Sequence, residues 1–258
     1  MLQETRLHRI RALLSTLSRV STERIVKELG ISRETARRDI IELEAQGLAR
    51  RVHGGLVALD ATPEPPLNVR SAAMAKEKRA IARAAAQLLQ PGQTLFIDAG
   101  STTTMLAEEL RSMSGLTIIT NSLNAALQLS AAEEHESLNN EVILLGGSMR
   151  AGARETRGEL TVSEIYRYRA DIALLSPVGV DARQGASSFY PHEAAIARAM
   201  TQQAGRLILL ADHSKIGVSS RMNYAGIPQI ATLISDRDAA TLPALLALKQ
   251  ILPQVLLA

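Results

Sequence analysis

Leu7, Ile10, Leu13, Leu14 and Leu17 recur at spacings of three and four, with Arg6, Arg9 and Arg11 between them. That period predicts an amphipathic helix. A second, shorter helix is expected to carry Ile25, Val26 and Leu29, opened by Ser21 as N-cap and stopped by Gly30, which tolerates positive φ. After a three-residue break, Ser32 is expected to cap a third helix from Arg33 to about Gln46 with Ala36, Ile40 and Leu43 as its core stripe and Gly47 as terminator. Residues 48–52 and 56–59, on either side of His53-Gly54-Gly55, then read as two short strands around a glycine turn.

Two short helices joined at a glycine, followed by a hairpin, outline a winged helix-turn-helix; for the helices taken without the hairpin, the plain alternative is an ordinary helical hairpin with a charged exterior. At about 100° per residue, Glu34, Thr35, Arg37 and Arg38 face away from the core stripe, and Arg33 stands at the helix start. An α-helix fits the major groove, Arg can grip guanine with two hydrogen bonds, and a Thr methyl can meet the thymine methyl. Arg50, Arg51 and His53 bring charge or donors to the wing. A loop histidine without a role is the plain alternative for His53. The charge at this end of the chain is compatible with a polyanion partner, and a solvated surface explains it equally well. Net charge is +3 over 258 residues, and residues 1–60 hold eleven Lys/Arg against eight Asp/Glu while the remainder balances. Phe and Tyr are all beyond residue 60 and Trp is absent, which argues against base stacking on single strands by this segment.

Residues 5–59, with Ser32-Arg33-Glu34-Thr35-Ala36-Arg37-Arg38-Asp39-Ile40 on the third helix and Arg51-Val52-His53-Gly54-Gly55 in the wing, closely resemble the N-terminal domain of the DeoR family of bacterial transcriptional regulators. The resemblance implies double-stranded operator DNA as partner, with Arg33, Glu34, Thr35, Arg37, Arg38, Arg51 and His53 as its contacts.

Pro63, Pro65 and Pro66 mark a stiffened linker, so the expected division is a DNA-binding domain at 1–60, a linker at 61–70 and a second domain at 71–258. A single Ala-rich helix is expected from residue 71 to 90. Beyond it, apolar runs at 94–97, 116–120, 142–145, 172–175, 207–211 and 230–234 alternate with helix-sized segments, the pattern of an α/β domain with a largely parallel sheet covered on both faces. Ligands of such sheets gather at the carboxyl ends of the strands. There stand Asp98-Ala99-Gly100-Ser101-Thr102-Thr103, Asn121, Gly146-Gly147 with Arg150, Gly179-Val180-Asp181 and Asp212-His213-Ser214-Lys215, while Glu193 opens a later helix. Ser101, Thr102 and Thr103 beside the first amides of a helix make an anion cradle, although a well-capped helix start reads the same way. The segment is neither a P-loop nor a dinucleotide fingerprint.

Taken together these positions resemble the C-terminal sensor domain of the same family. The resemblance implies a sugar-phosphate effector in a fold related to ribose-5-phosphate isomerase and CoA transferases. Carried over, Ser101, Thr102 and Thr103 take the phosphate, Asp98, Asn121, Asp181 and Glu193 the hydroxyls, and Lys215 the phosphate or a carbonyl oxygen. Gly100, Gly147 and Arg150 complete the expected rim. Ser176-Pro177-Val178 departs from the small-residue run usual before Gly179, which bears on effector identity.

Zero cysteines exclude disulfides, thiolate catalysis and cysteine-ligated metals, and the five histidines show no His-x-x-x-His pair, so neither metal nor cofactor is expected. No signal peptide or membrane span is visible, and the expected address is cytoplasmic. The functional expectation is a homodimeric or homotetrameric repressor of a sugar or polyol operon that is not an enzyme. The alternative is an isomerase-type enzyme in which Asp181, Glu193 and Lys215 move a proton beside a sugar carbonyl.

Overall fold

Local capping and apolar spacing account for the N-terminal helices of the computed structural model, which describes residues 2–17, 19–46, 48–52, 54–58, 67–130, 140–150 and 153–258. The chain divides into two units, Met1–Ala73 and Met74–Ala258.

In the first unit α1 (Gln3–Leu17) buries Ile10 and Leu14. It is followed by β1 (Arg19–Ser21), a strand that the apolar pattern does not announce. The Ser21 hydroxyl accepts from Arg24 N at 3.1 Å to open α2 (Thr22–Leu29), and Gly30 closes that helix at φ 63°. Ser32 repeats the device on Thr35 N at 3.1 Å for α3 (Arg33–Ala45), which buries Ala36, Ile40 and Leu43 as expected. Asp39 is buried with them because Arg6 of α1 grips both its oxygens, Nε at 2.6 Å and a terminal nitrogen at 2.9 Å. A fork-to-fork pair of this kind fixes angle as well as distance between two helices. β2 (Ala49–Val52) and β3 (Gly55–Ala58) form the expected hairpin, and β1 joins it to give an antiparallel sheet in the order β1-β3-β2. Gly47, His53 and residues 59–66 lie outside the described residues.

Residues 67–70, expected in a linker, belong instead to α4 (Leu67–Ala72). The single helix expected from residue 71 to 90 is also two pieces. Met74 sits at φ 54°, a left-handed conformation that no α-helix can pass through, and α5 (Ala75–Ala86) starts after it. Alanine-rich composition favours helix everywhere in this stretch, so the break has no local signal.

The second unit continues through β4 (Thr94–Ile97), α6 (Ser101–Leu110), β5 (Thr117–Thr120), α7 (Leu123–Ser130), β6 (Glu141–Leu144), α8 (Glu159–Ile165) and β7 (Ala170–Leu175). Then come β8 (Gly179–Asp181), β9 (Gly185–Ser188), α9 (Pro191–Gln202), β10 (Ala204–Leu210), β11 (Met222–Ala225), β12 (Ile230–Ser235), α10 (Pro243–Ile251) and β13 (Gln254–Leu257). Seven strands pair, all in parallel, in the order β13-β12-β10-β7-β4-β5-β6. Successive side chains serve opposite faces. Leu95 and Ile97 pack with Ile81, Leu106 and Leu110 of α5 and α6, whereas Phe96 belongs to the other core with Ile165, Met200 and Leu248 of α8, α9 and α10. Both faces are therefore covered, as the unbroken apolar runs require. The six expected strands are present within a few residues of their expected bounds. The seventh, β13, and a separate antiparallel sheet, β11-β9-β8, were not expected.

Candidate functional site

On the first unit, α3 presents Arg33, Glu34, Arg37 and Arg38 to the outside, all exposed. Arg33 pairs with Glu23 at 2.9 Å and Arg38 with Glu34 at 3.3 Å, while Arg37 meets no carboxylate among the described residues. Exposed pairs of this kind contribute little, so a phosphate or base edge can take either guanidinium over. Thr35 differs from the expectation of a free base reader, because its hydroxyl shares a 2.8 Å hydrogen bond with Ser32 Oγ and its side chain is half-buried. Arg51 is exposed on β2, with its backbone N donating to Glu44 of α3 at 3.0 Å, which ties the hairpin to the third helix. Ile41, on the outward arc, is 46% exposed. His53 lies outside the described residues.

In the second unit the order of strands reverses between β4 and β7: the chain proceeds outward to β5 and β6 on one side and to β10 and β12 on the other. Connections that leave in opposite directions open a crevice at the carboxyl ends of those two strands. Asp98 leaves β4 there, and its Oδ2 accepts from Ser176 N, just past β7, at 2.9 Å. Gly100 is needed between them, since a Cβ would lie 2.8 Å from Ser176 Cβ and 2.9 Å from Thr103 Oγ1. Thr103 Oγ1 accepts from Gly100 N at 2.8 Å and donates to Asp98 O at 2.9 Å, so its hydroxyl closes the start of α6 rather than facing a ligand. The buried hydroxyls of Ser101 and Thr102 make no hydrogen bond among the described residues, and they sit on the first turn of α6 where amide N–H groups lack helical partners.

Asn121 follows β5, the neighbour of β4. Its Nδ2 donates to Thr156 O at 3.1 Å, while its Oδ1 is buried without a partner among the described residues. The loop after β6 is taken up differently. Gly146 N donates to Glu164 Oε2 at 2.5 Å, Thr161 Oγ1 donates to Gly146 O at 2.7 Å, and a Cβ on Gly147 would meet Thr161 Oγ1 at 2.1 Å. Gly147 thus serves close approach to α8. Asp181 ends β8, and its Oδ1 accepts from Arg183 N and Gln184 N at 2.9 and 3.3 Å as the cap of the following turn. Val180 O accepts from Gly217 N at 2.8 Å, which sets β8 beside the loop carrying the half-buried Lys215.

Glu193, in the first turn of α9, accepts from Ser188 Oγ at 2.5 Å. Beside it His192 stacks on Tyr190, 5.4 Å between centroids, and its Nε2 lies 3.7 Å from Glu155. Burial, then the charges of Arg157 and Arg150, hold the His192 pKa below its ordinary value. Glu155, His192 and Glu193 have ligand atoms within 4.8 Å of one another and could hold a cation, against which the two arginine charges act. His213, Asp236 and Asp238 form a second such group, in which His213 Nδ1 already bonds Asp236 Oδ1 at 2.9 Å. Burial alone would lower the His213 pKa, but the Asp236 hydrogen bond and the charges of Asp236, Asp212 and Asp238 raise it overall.

Sequence reasoning noted Ser176 only within the run before Gly179, and it missed Glu155 and Tyr224. Tyr224 on β11 is buried, its hydroxyl has no partner among the described residues, and burial together with the Asp98 charge pushes its ionisation well above the ordinary range. No pattern around residue 224 could have revealed it, because β11 was itself unforeseen.

The family described as the DeoR-like helix-turn-helix domain matches residues 6–62, and the DeoR C-terminal sensor domain matches residues 73–237. The glycerol-3-phosphate regulon repressor of Escherichia coli (strain K12) is 35% identical over 217 residues, 84% of each chain. The HTH-type transcriptional repressor GlcR of Bacillus subtilis (strain 168) is 35% identical over 238 residues, 92% of this chain and 90% of its own. Among solved structures, ribose 5-phosphate isomerase A from Methanocaldococcus jannaschii superposes over 55% of each chain with a TM-score of 0.39 at 16% identity, too loose a likeness to bear on function.

Proposed function

The chain belongs to the DeoR family of transcriptional regulators, and from that premise we propose that it represses a sugar or polyol operon under control of a small phosphorylated effector. The observation that carries the effector reading is the crevice between β4 and β7, where uncommitted hydroxyls of Ser101 and Thr102 sit on the first turn of a ten-residue helix. An anion placed there meets free amides and the positive end of the helix dipole. Asp98 and Asn121, on neighbouring strand ends, are the groups for ligand hydroxyls. Thr103 stabilises the cradle from within, so the phosphate falls to Ser101 and Thr102, with Lys215 as the added cation. The Escherichia coli relative represses a glycerol-3-phosphate regulon, which supports an organic phosphate of this size.

DNA is read by α3. Arg33, Arg37 and Arg38 take phosphates or guanine edges, and Arg51 follows the backbone from the hairpin. One short helix reads few bases, so the protein acts as a homodimer or homotetramer on paired half-sites in the cytoplasm. Effector binding without turnover is sufficient for control, since a coupling of about 1–3 kcal/mol changes DNA affinity about 5–150-fold.

The test has two arms on the full-length protein. Phosphorylated sugars and polyols at about 100 times their dissociation constants should stabilise the second unit by about 2.7 kcal/mol. The same ligands should change retardation of DNA from the protein's own upstream region in a gel. Stabilisation by unphosphorylated sugars alone, or chemical conversion of the stabilising ligand, would overturn the proposal.

A further inference from the structure

Tyr224 occupies the extra position of a β-bulge. β11 pairs with β9 at Asn223↔Ser187 and Ala225↔Ala186, so two residues step along one strand while the other advances by one, and Tyr224 is left over. Bulges re-aim side chains and concentrate beside functional sites. This one sends the ring into the buried cluster that also holds Val180, Ala194 and Ile216, the immediate chain neighbours of Asp181, Glu193 and Lys215. The ring packs in that core, and the phenol lies within reach of the Asp98 charge at the end of β4, although it comes from a sheet of its own.

The hydroxyl is 4% exposed as part of its residue and has no partner among the described residues. Buried polar groups are almost always paired, and one left alone in a native fold calls for an absent partner. Burial and the Asp98 charge both oppose ionisation, so at neutral pH the phenol is a hydrogen-bond donor. Asn121 Oδ1 is a second orphan, and it is an acceptor. One unpaired donor and one unpaired acceptor suit oxygens that both donate and accept. Those are hydroxyl groups. The dianion of a phosphate monoester offers acceptors only, and its place is the start of α6.

We propose that Tyr224 is a specificity-determining contact of the effector site, donating from its hydroxyl to an oxygen of the polyol or sugar portion of a phosphorylated ligand. The assignment rests on the reading of the β4–β7 crevice given above. It implies that the site distinguishes an organic phosphate from inorganic phosphate, and that the discrimination resides in β11.

Tyr224→Phe on the full-length protein isolates that one oxygen atom. Isothermal titration would compare inorganic phosphate with three- to six-carbon polyol and sugar phosphates, glycerol 3-phosphate and ribose 5-phosphate among them. Three results are expected. The unliganded variant unfolds at or above the wild-type temperature, because an unpaired hydroxyl has been removed. Its affinity for inorganic phosphate is unchanged. Its affinity for the organic phosphates that bind wild type falls about tenfold, the loss of one hydrogen bond. Asn121→Ala, as the second variant, should show the same selective loss, whereas Thr102→Ala should weaken inorganic and organic phosphates alike. Unchanged organic-phosphate affinity in Tyr224→Phe, an equal loss for inorganic phosphate, or a lower unliganded melting temperature each overturns the Tyr224 assignment while leaving the crevice reading intact. If no organic phosphate binds wild type, the crevice reading itself fails and the assignment fails with it.

Discussion

Asp236 joins two strand ends of the sensor unit, and its removal has a consequence that can be worked through. Its buried carboxylate accepts from His213 N at 2.6 Å, from His213 Nδ1 at 2.9 Å and from Asp238 N at 3.1 Å. The loop after β10, which carries Asp212 and Lys215, is thus held to the loop after β12. Asp236→Ala deletes all three bonds. At about 1 kcal/mol for each backbone donor and about 2 for the charge-assisted imidazole, the sum is roughly 4 kcal/mol. The His213 side chain is 26% exposed, so water repairs part of the loss and about 2–3 kcal/mol should remain.

The pH dependence follows from the signs. Hydrogen bonding and the Asp236 charge raise the His213 pKa above its ordinary 6.5 despite burial, so this share of stability is complete below about pH 6.5 and is lost as pH rises through the folded-state value. Burial would raise the Asp236 pKa, but the His213 bond and charge lower it below 3.8, so its share is complete above about pH 4 and is lost as pH falls through the folded-state value. The difference between wild type and Asp236→Ala should be largest near pH 5–6 and shrink toward pH 9, where the backbone bonds persist and the imidazole bond has lost its charge. All four tyrosines lie in the second unit, so urea unfolding followed by tyrosine fluorescence reports that unit without interference from the first. A difference below about 0.5 kcal/mol at pH 6, or one that stays flat from pH 5 to 9, would refute the reasoning.

Arg37→Ala should weaken operator binding by about 1–3 kcal/mol and relax preference at one base pair, whereas Arg51→Ala should weaken binding to all sequences alike and reduce the salt slope by about one; gel retardation across a salt series separates the two. Gly30→Ala meets nothing within 4 Å, so its cost comes from φ 63° alone, about 1 kcal/mol read from helix melting by circular dichroism, and an unchanged melt would show that the turn relaxes. Gly100→Ala places a methyl 2.8 Å from Ser176 Cβ; it should destabilise the second unit by about 1–3 kcal/mol and abolish ligand-induced stabilisation.

The three caps of the first unit were legible because each is settled within three or four residues: Ser21 and Ser32 hold the amides of Arg24 and Thr35, and Gly30 turns the chain. The parallel strands were legible because burial on both faces leaves continuous apolar runs. The small sheet left no such trace. Gly185-Ala186-Ser187-Ser188 of β9 is short, polar in half its positions and yet entirely buried, flanked by β8 just before it and by β11 from a distant part of the chain. The candidate site divides in the same way. Asp98, Ser101, Thr102 and Asn121 follow recognisable strands and Thr103 turns onto its near neighbours Gly100 and Asp98, whereas the engagement of Gly146 by Glu164 depends on a partner that only folding supplies.

What the chain determined by itself was therefore the set of elements and the edge of the sheet where polar groups collect, since caps, periodicity and apolar runs act over a few residues. Tertiary structure decided which of those polar groups are already satisfied. Asp39 is buried against Arg6, Asp236 gathers donors from two loops, and Asn121 and Tyr224 each bury one atom with no partner among the described residues. Hydrogen-bond satisfaction is a property of closure in space, and groups separated by tens of residues have no local signature of it.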